Sequence, residues 1–235
     1  MKKLINFIKN NKAFVITIAI LLGGQSITFF GLKFFQNNPI YIDYYLDDKI
    51  PFLGRFVYIY DIFYPFVFIC LYLLYKKEEK TYFKGVISGI IGFLICDVIF
   101  LSIPTIMYRP ILPSTDPLTD LVLKITFYYD SPPLNCFPSI HCLYCFQVIY
   151  SILSSKFDKK SKLLIVIISL LIIVSTLFIK QHYIYDVISA FLVMMISNLL
   201  TDLFNIYDVL KNKKIIWNKY IETNTDNLFY LLNNK

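Results

Sequence analysis

Long apolar runs, separated by short charged or proline-rich stretches, make up most of the chain. Runs near residues 14–35, 56–75, 82–103, 163–179 and 183–204 each approach the ~20 residues that a helix needs to cross a bilayer. A sixth run, 138–155, is shorter and more polar and reads as a further span. The pattern predicts an all-α integral membrane protein, a bundle of six transmembrane helices. It forms one domain over 1–235, with a core of about 50–205 and a cytoplasmic tail over 206–235. Lys2, Lys3, Lys9 and Lys12 precede the first run as in a signal peptide. That run is long and no small-x-small cleavage pattern follows it, so it reads as an uncleaved span.

The connections carry their own signals. Pro39 and Pro51 break the loop 36–54, and Pro104 ends the third run. The loop 104–137 is the longest. Within it Asp116-Pro117 reads as an N-cap followed by proline at the first helical position. The residues 117–129 then alternate loosely between apolar and polar, which predicts a short interfacial helix between the third and fourth spans. Arg109-Pro110 precedes this helix. Pro138-Ser139-Ile140-His141 follows it, at the start of the fourth span.

The +7 net charge does not indicate nucleic acid, because the lysines are segregated by loop. Most lie at the N-terminus, in 76–84, in 156–162 and in the tail, all on one side of a six-span arrangement. The positive-inside rule then assigns both termini to the cytoplasm and turns the His182 stretch outward; the expected location is the plasma membrane, with the site on its outer face. The tail residues Ile215, Ile216, Trp217, Tyr220 and Ile221 read as an amphipathic segment or as disorder. The 19 Tyr and 22 Phe fit either interfacial belts or a codon bias, and carry no functional weight. Cys142 and Cys145 form a C-x-x-C inside an apolar helix, where cysteine acts as a small hydrophobe; with His141 and Cys136 they are the nearest thing to a metal set.

The chemistry concentrates at 175–186. His182 and Asp186 are four apart, so a helix brings the carboxylate to one ring nitrogen and leaves the other free. Lys180 lies just before, where the last span begins and where a helix N-terminus attracts anions. Two readings stand: a phosphate site, or an interfacial histidine hydrogen-bonded to its neighbour. Asp61 and Asp97 at membrane depth either support that site or bond to Tyr, Ser or Thr on a neighbouring helix.

The order Arg109-Pro110, then Pro138-Ser139-x-His141, then Ser175, His182 and Asp186 resembles the type 2 phosphatidic acid phosphatase superfamily, membrane branch. Its motifs are Lys-x6-Arg-Pro, Pro-Ser-Gly-His and Ser-Arg-x5-His-x3-Asp. The first-motif lysine falls at Ser102, Ile140 replaces glycine, and Thr176 stands where the third motif has arginine. The Lys-Gln-His spelling is similar to a divergent branch near the inositol phosphotransferase relatives.

The resemblance implies that His182 is the nucleophile, Asp186 its orienter and His141 the acid and base. It also implies that Arg109, Ser139, Ile140 and Lys180 hold the phosphate, with no metal and no cofactor. The implied partner is a phosphorylated lipid substrate in the membrane, and the implied activity a lipid-phosphate phosphatase acting through phosphohistidine. The alternatives are a phospho-headgroup transferase of the inositol phosphotransferase or phosphorylceramide synthase type, and a non-enzymatic membrane protein that retains the fold.

Overall fold

The computed structural model describes residues 2–109 and 116–212, and every regular element among them is helical. In chain order these are α1 (Lys2–Asn10), α2 (Lys12–Phe35), α3 (Gly54–Lys77), α4 (Glu79–Ser102), α5 (Pro117–Tyr129), α6 (Ile140–Leu153), α7 (Lys159–Phe178), α8 (Ile184–Leu203) and α9 (Ile206–Asn212). The tail segment read as amphipathic at 215–221 lies outside the described residues.

Five of these helices, α2, α3, α4, α7 and α8, are long and apolar enough to cross a membrane. The sixth expected span is the exception. Its helix has 14 residues, a length of about 21 Å against the ~30 Å of a hydrocarbon core. It starts late because Pro138 and the capping Ser139 precede it, and it ends at Leu153. Neighbouring helices enclose α6, and Cys142, Leu143, Cys145 and Ile152 are wholly buried.

The other spans follow from local sequence. Proline has no N–H and clashes with the carbonyl four residues back, so Pro65 interrupts α3 at Asp61–Ile62. Tyr60, Asp61 and Tyr64, on either side of the break, line a cavity between the helices. A π-helical segment, Ala19–Gly24, lies within α2. Helix α5 begins where the sequence predicts, with the Asp116 carboxylate accepting from the Thr119 N–H at 3.0 Å.

Helix α4 is central, packing against α8, α6, α3 and α2, while α6 also packs on α7. Close approach depends on Gly92: a Cβ there would meet both Leu143 methyls at 3.2 Å. Polar pairs tie the buried faces together. Gln147 and Asn198 exchange amide hydrogen bonds at 3.2 and 2.8 Å, and Thr17 meets the Tyr82 hydroxyl at 2.5 Å.

The two ends of the bundle differ. At one end the starts of α6 and α8 meet, as the Ser139 N–H donates to the Asp186 carbonyl at 3.1 Å. The long loops are pinned there: Ile40 N–H donates to Pro104 O at 2.9 Å and Met107 N–H to Pro133 O at 3.0 Å. The opposite end gathers the lysine-rich turns. Lys77, Lys80 and Lys156 line one groove there, and Lys84 pairs with Asp202 at 2.5 Å.

Candidate active site

The site is built on the way α7 stops. Gln181 N–H donates to Thr176 O at 2.9 Å and Lys180 N–H to Leu177 O at 3.2 Å, the pairing of a Schellman motif. Lys180 takes the left-handed position, φ 55°, that glycine usually fills. The His182 N–H also donates to Thr176 O, at 3.2 Å. The backbone thus fixes where Gln181 and His182 emerge before α8 begins.

Asp186 then does two things with one oxygen. Its Oδ2 accepts from the Tyr183 N–H at 2.9 Å and lies 3.1 Å from His182 Nδ1. The first contact caps α8. The second directs Nδ1 to the carboxylate and leaves Nε2 as the free ring nitrogen. Its Oδ1 has no hydrogen-bond partner among the described residues. Asp47 braces the same turn, accepting from the Ile184 N–H at 2.9 Å.

His141, on the first turn of α6, is held by rings. Its centroid lies 4.7 Å from that of Tyr60 and 4.5 Å from that of Phe63. The His141 and His182 ring centroids are 6.0 Å apart. Both histidines line one cavity of about 350 Å³. Helix α2 contributes Gln25, Ser26, Phe29 and Phe30 to its wall, α3 contributes Tyr60, Asp61 and Tyr64, and α5 contributes Ile125, Thr126 and Tyr129. Apolar surface and a few polar groups thus surround two imidazoles, one of them oriented by a carboxylate. Such a site suits a nucleophile and an acid/base acting on one group.

A family model described as the PAP2 superfamily matches residues 46–200. The chain belongs to the PAP2 superfamily. This is the type 2 phosphatidic acid phosphatase superfamily, which comprises phosphatases and related phosphotransferases. No curated protein and no solved structure matches the chain. With its apolar helices, membership makes it a multi-pass membrane protein.

Of the residues that the PAP2 motifs single out, His141, Ile140 and His182 line the cavity, and Asp186 holds His182. Two others, Ser139 and Arg109, and the neighbouring candidate Lys180 bond outside the cavity. The Lys180 ammonium donates to the carbonyls of Asp47 and Ile50 at 2.8 and 2.7 Å, which ties it to the preceding loop rather than to the cavity. Burial there lowers its pKa. The Ser139 hydroxyl accepts from the Cys142 N–H at 3.2 Å and so caps α6. Arg109 stands behind the wall. Its terminal nitrogens donate to Phe127 O at 2.9 Å, Asp130 Oδ2 at 2.5 Å and Gln181 Oε1 at 2.8 Å, its guanidinium lies over the Phe127 ring, and its buried Nε has no acceptor among the described residues.

Ser102 and Thr176, at the positions of the missing motif cations, bond to the carbonyls of Val98 and Ile173 in their own helices. Asp61 accepts from Thr126 at 3.1 Å, the bond to a neighbouring helix that its sequence position allows. The five cysteines are buried and free.

Residues that motif matching passes over complete the site. Asp130 lines the cavity and is shared between Arg109 and Lys33, whose ammonium lies 2.9 Å from Asp130 Oδ1. Two cations against one carboxylate leave this corner net positive. Nothing in sequence links Lys33 to Asp130, 97 residues away. Gln25 did have a signal, as an amide in the middle of an apolar span. Gln181 had another, as the immediate neighbour of His182.

Proposed function

We propose that this protein is a membrane lipid-phosphate phosphatase, metal-independent, working through a phosphohistidine on His182. The observation that carries the reading is the shared cavity of His141 and His182, with Asp186 3.1 Å from His182 Nδ1. The His182 Nε2 lone pair attacks phosphorus. The bond from phosphorus to the ester oxygen breaks, and that oxygen takes a proton from His141. Water then attacks the phosphohistidine, gives its proton to His141, and the P–N bond breaks to release phosphate. Phe29, Phe30, Tyr64 and Ile125 offer apolar surface to a hydrocarbon chain. The expected outward site, six-span topology, interfacial α5 and plasma-membrane location belong to this proposal. The segregation of the lysine-rich turns to the far end of the bundle supports them.

A transferase reading, in which an alcohol replaces water, draws support from the polar residues Gln25, Ser26, Asp61 and Thr126 in the same cavity. The test is product analysis with the purified full chain, phosphatidic acid or an isoprenyl phosphate, and an added polyol. Inorganic phosphate as the main product, unchanged by the polyol, is the expected result. A phosphorylated polyol as the main product supports the transferase. Neither product, from a protein that remains folded, contradicts both and favours a fold that has lost the chemistry.

A further inference from the structure

The cavity raises a question of charge. A phosphoryl group at His182 needs donors for its equatorial oxygens, yet neither Arg109 nor Lys180 lines the cavity. Lys33 is drawn to Asp130 and to the Pro132 carbonyl. Gln181 fills the gap. It lines the cavity beside His182 and is 2% exposed. Its Oε1 accepts from Arg109 at 2.8 Å, while its Nε2 has no acceptor among the described residues.

The amide orientation is determined by chemistry: the flipped form would set the amide's donors against the guanidinium's, and Arg has no acceptor to offer. The turn that ends α7 fixes the Gln181 backbone through the bond to Thr176 O. A buried donor without an acceptor is destabilising, and a ligand oxygen relieves that cost. Arg109 also polarises the amide through its carbonyl, which strengthens the N–H as a donor.

We infer that Gln181 donates Nε2–H to an equatorial oxygen of the phosphoryl group at His182, with its amide oriented by the bond it accepts from Arg109. The inference rests on the phosphoryl reading above and supplies a donor that motif matching does not name.

Titration calorimetry with orthovanadate, on the purified full chain in detergent, tests it. Gln181→Met removes the donor and keeps the length. Gln181→Glu keeps an oxygen for Arg109 but removes the donor and adds a like charge. Thermal unfolding and size exclusion verify that each variant is folded, and Gln181→Glu retains the Arg109 contact if the methionine variant unfolds. Gln181→Met should bind vanadate about 10–100-fold more weakly, as expected for loss of a hydrogen bond to a charged group. Gln181→Glu should bind more weakly still. Arg109→Gln should weaken binding, and by less in the Gln181→Met background than in the wild type, because the two groups are coupled through one hydrogen bond.

Wild-type affinity in folded Gln181→Met and Gln181→Glu proteins overturns the assignment of Gln181 alone. Equal losses from Arg109→Gln in the two backgrounds overturn the coupling of Arg109 to Gln181. A wild-type protein that binds no vanadate overturns the phosphoryl reading, and this inference with it.

Discussion

One oxygen, Asp186 Oδ2, serves both the Tyr183 N–H and the His182 ring, so helix capping and imidazole orientation are coupled. The His182–Asp186 pairing was legible in the sequence, because four residues on a helix is one turn, whereas the cap on the Tyr183 N–H was not. Nor was the role of Lys180. Proximity in sequence suggested a phosphate ligand, but a left-handed residue reverses the chain's course, and its side chain leaves toward Asp47 and Ile50. Lys180→Gly preserves the turn without strain and removes the ammonium. It should lower stability by about 1 kcal/mol, the lost charged hydrogen bonds being partly offset by relief of the left-handed backbone. Phosphoenzyme formation should persist. Thermal unfolding and phosphate trapping read the two effects, and a loss of phosphoenzyme as complete as in His182→Ala would mean that the ammonium reaches the phosphoryl group.

At the level of elements, apolar periodicity located the five long spans because each must match bilayer thickness along its own length. It overestimated α6, which is enclosed by other helices and need not span lipid alone. What periodicity cannot show is which residues let two helices approach. Gly92 does so between α4 and α6, where both Leu143 methyls would meet an added Cβ. Leu143 is wholly buried, which limits how far its methyls can give way, so Gly92→Val should destabilise the fold by about 1–3 kcal/mol through overpacking. Gly31→Val, where nothing lies within 4 Å, is the control and should cost far less. Denaturant unfolding in detergent compares them, and equal losses would contradict this account of α4–α6 packing.

Across the whole molecule, lysine-rich turns and the paired histidines occupy opposite ends of one bundle. The lysine pattern was legible because charge segregation by loop is a property of the chain alone. The cavity wall was not, because α2, α3 and α5 meet only after folding. If the histidine end faces outward, a cysteine at Tyr45 in a cysteine-free background should react with an impermeant thiol reagent in intact cells. One at Lys160 should not, and reversed labelling would invert the topology.

The central claim, that His182 becomes phosphorylated while His141 handles the proton, is tested most directly by rapid-quench trapping of acid-labile phosphate on the protein. Wild type should trap it from an alkyl and from an aryl phosphate, and His182→Ala from neither. Asp186→Asn should slow its formation by about 10²–10⁴-fold through misorientation of the ring. His141→Ala should still trap it from the aryl phosphate, whose leaving group needs no proton. Wild-type levels of trapped phosphate in His182→Ala would contradict the account.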